Sequence, residues 1–251
     1  MTPIRDRFGR RRRGNGVSRL EGLSDGVFAL ALTFLVFITR QPADFDDFLS
    51  ILRGFLPFGL TFAMLFLFWN TQNTFFRRYG LEDGFTKWMN ALLLFCILFF
   101  TFPLKYLFAI ALVALFGWNT APTGSMVFTL RGDQVPWIAI LFGLGLAVIF
   151  TIFALLYWHA YRLRDRLGLT EEERIETRAD VLRCLITVAV SLLSCAIVSA
   201  GGVRFFGLSG QVYLILPVAF AVVGVRSRRA MRKAAEAEKT PDPAPGDTGL
   251  K

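Results

Sequence analysis

Six stretches of about twenty mainly apolar residues divide this 251-residue chain, close to residues 20–39, 54–76, 88–116, 135–161, 181–203 and 208–226. A run of that length is what a helix needs to cross the hydrocarbon of a bilayer. With 54% hydrophobic residues and 27 Phe, the apolar surface exceeds what one soluble core can hide. Strand-type alternation is absent, and in lipid the backbone must then be satisfied inside helices. The expected fold is an all-α membrane protein with six transmembrane helices per subunit. The third stretch is longer than a bilayer requires and contains Pro103, so it is predicted to tilt or to bend there.

The basic residues give the orientation. Of the 28 Lys and Arg, 23 lie in residues 1–19, 77–87, 162–183 and 226–251, which an even number of crossings places on one side. Arg40, Arg53, Lys105, Arg131 and Arg204 fall on or near the other. The positive-inside rule makes the richer side, with both termini, cytoplasmic. The run Arg10-Arg11-Arg12-Arg13, so close to a span, reads as a contact for anionic lipid headgroups and not for nucleic acid. Residues 1–18 are expected as a basic cytoplasmic tail and 19–229 as the transmembrane domain. Residues 230–251, which include Pro241-Asp-Pro-Ala-Pro245-Gly, are expected to extend the last helix briefly and then to be disordered. A signal peptide is the other reading of the basic start. The first run lacks a small-residue cleavage pattern and ends Thr39-Arg40-Gln41-Pro42, so it is kept as a mature helix.

Little in the chain suggests reaction chemistry. Cys96, Cys184 and Cys195 stand singly in apolar stretches, without metal-ligand spacing. The single histidine, His159, sits between Trp158 and Tyr161 at the end of the fourth stretch and reads as a satisfied interfacial residue. No nucleophile-base pair, paired carboxylate or nucleotide loop is present. An enzyme is not expected, nor a cofactor.

The informative polar residues cluster at one end of the first three spans. Arg19, Glu21, Ser24 and Asp25 stand at the mouth of the first; Trp69, Gln72 and Asn73 close the second; Asn90 opens the third. Charge at a membrane entry must be paired and hydrogen-bonded. A network in which Gln72, Asn73 and Asn90 satisfy Arg19 and Asp25 would meet that need. Separate polar caps facing headgroups and water are the alternative.

These motifs resemble a known family. An Arg-x-x-x-Phe-Ser-Asp opening of helix one, a Trp-x-x-His-His near the end of helix two, and an Asn before a Leu-rich run and a Pro in helix three mark the endosomal and lysosomal potassium channels, the transmembrane protein 175 family. Here they read Arg19-Leu-Glu-Gly-Leu23-Ser24-Asp25, Trp69-Asn-Thr-Gln72-Asn73, and Asn90 followed by Leu92-Leu-Leu and Pro103. Leu23 replaces the motif's Phe, and Gln72-Asn73 replace the paired histidines. The six-helix length is similar to the bacterial branch, in which four subunits make the pore.

The resemblance implies a potassium-permeable channel of leak type in a bacterial cell membrane, a homotetramer whose pore is lined by the first helix. A carbonyl filter of the Thr-Val-Gly-Tyr-Gly kind is absent from this sequence. Gly26, Leu30, Thr33 and Phe37 recur at helical spacing and share one face. Matched to the family motif, Leu30 takes the apolar constriction and Thr33 the hydroxyl layer one turn along. A ring of Leu30 would gate by dewetting, and a ring of Thr33 oxygens would replace part of an ion's hydration shell. Potassium is then the permeant ion and the only ligand. Ordinary helix packing is the other reading of this stripe. At the level of function, a cation-coupled secondary transporter using Asp25 and a non-conducting scaffold remain as alternatives.

Overall fold

The computed structural model describes residues 18–37, 44, 45, 48, 52, 54–116 and 134–239. The described residues are helical almost throughout: α1 Arg19–Phe37, α2 Phe55–Tyr79, α3 Gly84–Phe116, α4 Val135–Arg162, α5 Glu171–Gly201, a 3-10 turn Gly202–Phe205, the short α6 Phe206–Gln211, a second turn Val212–Leu214, and α7 Ile215–Lys239. Four helical stretches among them are long and apolar enough to cross a membrane: Phe55–Tyr79, Gly84–Thr101, Pro136–Arg162 and the continuous run Glu171–Ala234. That last run has 64 residues, far more than one crossing at about 1.5 Å per residue. It turns at Gly202, where φ is 58° and glycine is at home, and α7 then packs back along α5.

Several boundaries differ from the sequence expectation for local reasons. α5 begins ten residues before the apolar run, because Thr170 and Glu173 form a reciprocal capping box that starts the helix in a polar segment. The helix of α3 continues through Pro103 to Phe116. α2 stops at Gly80, whose φ of 58° lets its N–H return to the Phe76 carbonyl at 2.8 Å. The first ten residues of the expected C-terminal tail, 230–239, are helical; the remaining tail and residues 1–17 lie outside the described residues.

The core is a continuous apolar and aromatic cluster shared by α1 to α5, with Phe68, Phe75, Tyr79, Leu93, Leu104, Phe153 and Leu156 essentially inaccessible. Close helix approach is made by glycine. A Cβ at Gly143 would overlap Cys195 Sγ and stand 3.0 Å from the Ser191 carbonyl of α5, and one at Gly145 would enter the Phe100 ring of α3. Many large side chains face outward, among them Phe66, Phe95, Phe99, Trp137 and Leu214. An outer surface of this kind suits lipid, not water.

Cross-helix contacts bring the starts of α1, α3 and α5 and the ends of α2 and α4 to one end of the bundle: Ser24 meets Gln72 and Asn90, Asp83 meets His159, and Arg78 meets Asp180. Arg183 of α5 lies beside Gly224, so the arginine-rich part of α7 returns to the same end.

Candidate functional site

α1 is started by a capping box that closes its first turn. The Ser18 hydroxyl accepts from the Glu21 N–H at 3.1 Å, and the Glu21 carboxylate accepts from the Ser18 N–H at 3.1 Å. Glu21 is thus a cap, placed where a negative charge also suits the positive end of the helix. The Ser18-x-x-Glu21 spacing is the sequence signature of such a box.

One turn deeper, Ser24, Gln72 and Asn90 form a closed hydrogen-bonded triangle across three helices. Ser24 Oγ donates to the Leu20 carbonyl at 2.8 Å and accepts from Gln72 Nε2 at 2.9 Å and Asn90 Nδ2 at 3.1 Å; Gln72 Nε2 also donates to Asn90 Oδ1. All three side chains are buried, at 1%, 2% and 0% exposure. Buried amides of this kind are costly unless each finds partners. Satisfied in this way, they hold α1 against α2 and α3 in one register.

Asp25 is satisfied by a different residue from those expected. Its Oδ1 accepts from Trp69 Nε1 at 2.7 Å, and the indole packs against Phe66 with centroids 5.5 Å apart. Successive residues of a helix point about 100° apart. Once Ser24 faces the amides, Asp25 looks sideways, where the long reach of the indole meets it. Arg19 is exposed on the outside of α1, and Asn73 is half-buried; neither joins the triangle.

The opposite face of α1 carries Gly26, Leu30 and Thr33. Ser24, Phe28, Ala31 and Leu35 are buried against the subunit, whereas Gly26, Leu30 and Thr33 are exposed, Leu30 to 45%. A Cβ placed on Gly26 would meet nothing within 4 Å. The Thr33 hydroxyl donates back to the Ala29 carbonyl at 2.8 Å, so its oxygen remains free to accept. Phe37 ends α1; its side chain lies outside the described residues. Among the described residues, Gly26, Leu30 and Thr33 are thus left on the exposed side of the subunit.

Two further polar groups tie the same end together. Arg78, only 8% exposed, pairs with Glu176 at 3.1 Å and Asp180 at 2.8 Å, and Arg183 also reaches Asp180. Beside them Tyr79 and Thr177 share a hydrogen bond of 2.8 Å. Asp83 in the α2–α3 turn is met by His159 of α4, whose Nε2 lies 2.9 Å from Asp83 Oδ2 and whose ring rests on Phe85 with centroids 4.5 Å apart. Burial raises the Asp83 carboxyl, but the hydrogen bonds from Thr86 and His159 outweigh it and hold the group below its ordinary value. Neither cross-link was evident from the chain, since the partners are 76 to 102 residues apart. Among the described residues no cluster of metal-ligating side chains occurs.

An all-helical membrane protein with an outward-facing first helix and a polar clamp over its entrance is the class these features define. The family described as endosomal/lysosomal potassium channel TMEM175 matches residues 19–100, the stretch that contains α1, α2 and the triangle. A potassium channel of Marivirga tractuosa is 33% identical over 227 residues, covering 88% of this chain and 92% of that protein. A second potassium channel, from Chamaesiphon minutus, is 31% identical over 93 residues, 34% of this chain and 46% of that one. Among solved structures, a crystal structure of a variant of the potassium channel MtTMEM175 superposes with a TM-score of 0.75 at 29% identity, over 90% of this chain and all of that one. A TMEM175 homologue from Chamaesiphon minutus has the same fold, with a TM-score of 0.55 at 24% identity over 83% and 96% of the two chains. The chain belongs to the TMEM175 family, a family of ion channels and not of enzymes.

Proposed function

We propose that this protein is a potassium-permeable leak channel of a bacterial cell membrane, built as a homotetramer of six-helix subunits with α1 around a four-fold axis and both termini cytoplasmic. The observation that carries the reading is the two-sidedness of α1: one face is buried against its own subunit, while Gly26, Leu30 and Thr33 on the other stay exposed among the described residues. A single exposed Leu and Thr cannot surround an ion, but a closed symmetric ring of each can. The Leu30 ring is the dewetting constriction, and the Thr33 oxygens are the hydroxyl layer. Family membership and relatives named potassium channels support the choice of ion. The grouping of Arg77, Arg78, Lys87, Arg162, Arg164 and Arg166 at the clamp end supports a cytoplasmic location for that end.

The transporter alternative loses its anchor in the geometry. Asp25 is occupied by Trp69 at the helix entrance, whereas a coupling site is expected near the midplane beside a broken helix. The deciding experiment is flux from purified protein in liposomes under an imposed potassium gradient. Passive electrogenic flux is expected; strict dependence on a counter-ion gradient would replace the channel by a transporter.

A further inference from the structure

The loop end of α4 and the first turns of α5 enclose a cleft of about 240 Å³ lined by Tyr161, Arg164, Glu171, Arg174, Ile175 and Arg178. Two guanidiniums share one aromatic ring in it: Arg164 and Arg178 lie 5.0 and 4.9 Å from the Tyr161 centroid. Arg178 Nε donates to the Tyr161 hydroxyl oxygen at 2.7 Å, so that hydroxyl keeps its own proton to donate. The third arginine is already committed. Arg174 donates to Glu171 and Asp165 at 2.9 Å each and to the Leu169 carbonyl at 3.2 Å. Arg178 has no carboxylate partner among the described residues, and Arg164 has only Asp165 at 3.8 Å.

Holding two cations on one ring costs Coulomb repulsion that a nearby anion would reverse. The free donors are of the kind that recognises phosphate, a forked guanidinium and a phenol. The cleft also adjoins the end of a helix long and apolar enough to cross a membrane, Pro136–Arg162. One turn before Tyr161, Trp158 is 46% exposed, with Arg162 4.9 Å from its ring, the aromatic and basic pairing that marks a membrane interface. We propose that this cleft binds the phosphate of an anionic membrane lipid, with Arg164, Arg178 and the Tyr161 hydroxyl as its donors. An anionic lipid there would bridge the ends of α4 and α5. The proposal requires the chain to lie in a membrane and does not require it to conduct.

The test uses the full-length protein in detergent, with dioctanoyl phosphatidylglycerol, dioctanoyl phosphatidylcholine and inorganic phosphate as probes, read by native mass spectrometry and by thermal shift. Phosphatidylglycerol is expected to bind about tenfold more tightly than phosphatidylcholine, and the preference to vanish in Arg164→Gln/Arg178→Gln, in keeping with the loss of charge-assisted bonds. Arg228→Gln/Arg229→Gln on α7 should retain it. Should the double variant not fold, Arg164→Gln alone still has to weaken the preference, since it breaks only the 3.8 Å contact with Asp165 and the ring stacking. An unchanged preference in a folded variant, equal binding of the two lipids, or inorganic phosphate acting as strongly as phosphatidylglycerol would each overturn the assignment. Potassium flux from the same samples is a separate readout, so a loss of flux leaves the lipid result standing.

Discussion

Ser24 and Asp25 are neighbours in the chain but are held by different side chains: the Ser24 hydroxyl accepts from Gln72 of α2 and Asn90 of α3, while the Asp25 carboxylate accepts from Trp69, one turn before Gln72 on α2, at 2.7 Å. The first pair of contacts is buried and the second is at the surface. Together they set the rotation of α1, because two adjacent residues about 100° apart are both fixed. The rotation directs Leu30 and Thr33 away from the subunit.

Ser24→Ala should lower stability more than its size suggests. It leaves the buried donors of Gln72 and Asn90 short of an acceptor, at a cost of about 1–3 kcal/mol. Thermal unfolding in detergent checks this, and Asp25→Asn, at the exposed site, should cost less. An equal or larger loss in Asp25→Asn would show that the triangle is not the main fastening.

Arg78→Met should be among the most damaging single changes at this end of the bundle. It leaves Glu176 and Asp180 without their shared partner in a nearly closed site, and breaking a buried pair in this way costs about 3–5 kcal/mol. Asp180→Asn should be milder, because Glu176 still holds Arg78 at 3.1 Å. The yield of folded oligomer on size-exclusion chromatography and the melting temperature separate the two variants.

Leu30→Asn should raise potassium conductance in liposomes by about tenfold, the effect of removing about 1.4 kcal/mol from a dewetting barrier. Thr33→Val should bring the potassium and sodium permeabilities closer together. If both variants conduct like the parent, this face of α1 does not line the pore.

Asp83 predicts an acid sensitivity with a definite sign. Its folded value lies below the ordinary 3.8, so the contribution to stability is complete above that ordinary value and is lost as pH falls through the lower folded one. The melting-temperature difference between parent and Asp83→Asn should therefore be present at pH 5 and shrink toward pH 3. A difference unchanged at pH 3 would remove the carboxylate as its cause.

Much of this was legible from periodicity and charge. The apolar lengths, the one-sided arginines and the grouping of Ser24, Asp25, Trp69, Gln72 and Asn90 follow from what a bilayer demands of any chain within it: about twenty apolar residues, satisfied polar groups and cations on one side. The spacing of Gly26, Leu30, Thr33 and Phe37 likewise placed them on one helix face, since that depends on the chain alone.

Which polar residues meet across the bundle depended on how the helices pack. Only the tertiary structure decided that Trp69 takes Asp25, that Ser24 takes both amides, that Arg78 bridges to α5 across 102 residues, and that His159 closes onto Asp83. Each is a choice among several polar partners of similar chemistry, and it is made by distance, by side-chain reach and by the cost of leaving any buried donor unpaired. Those are properties of packed helices, and a linear sequence does not contain them.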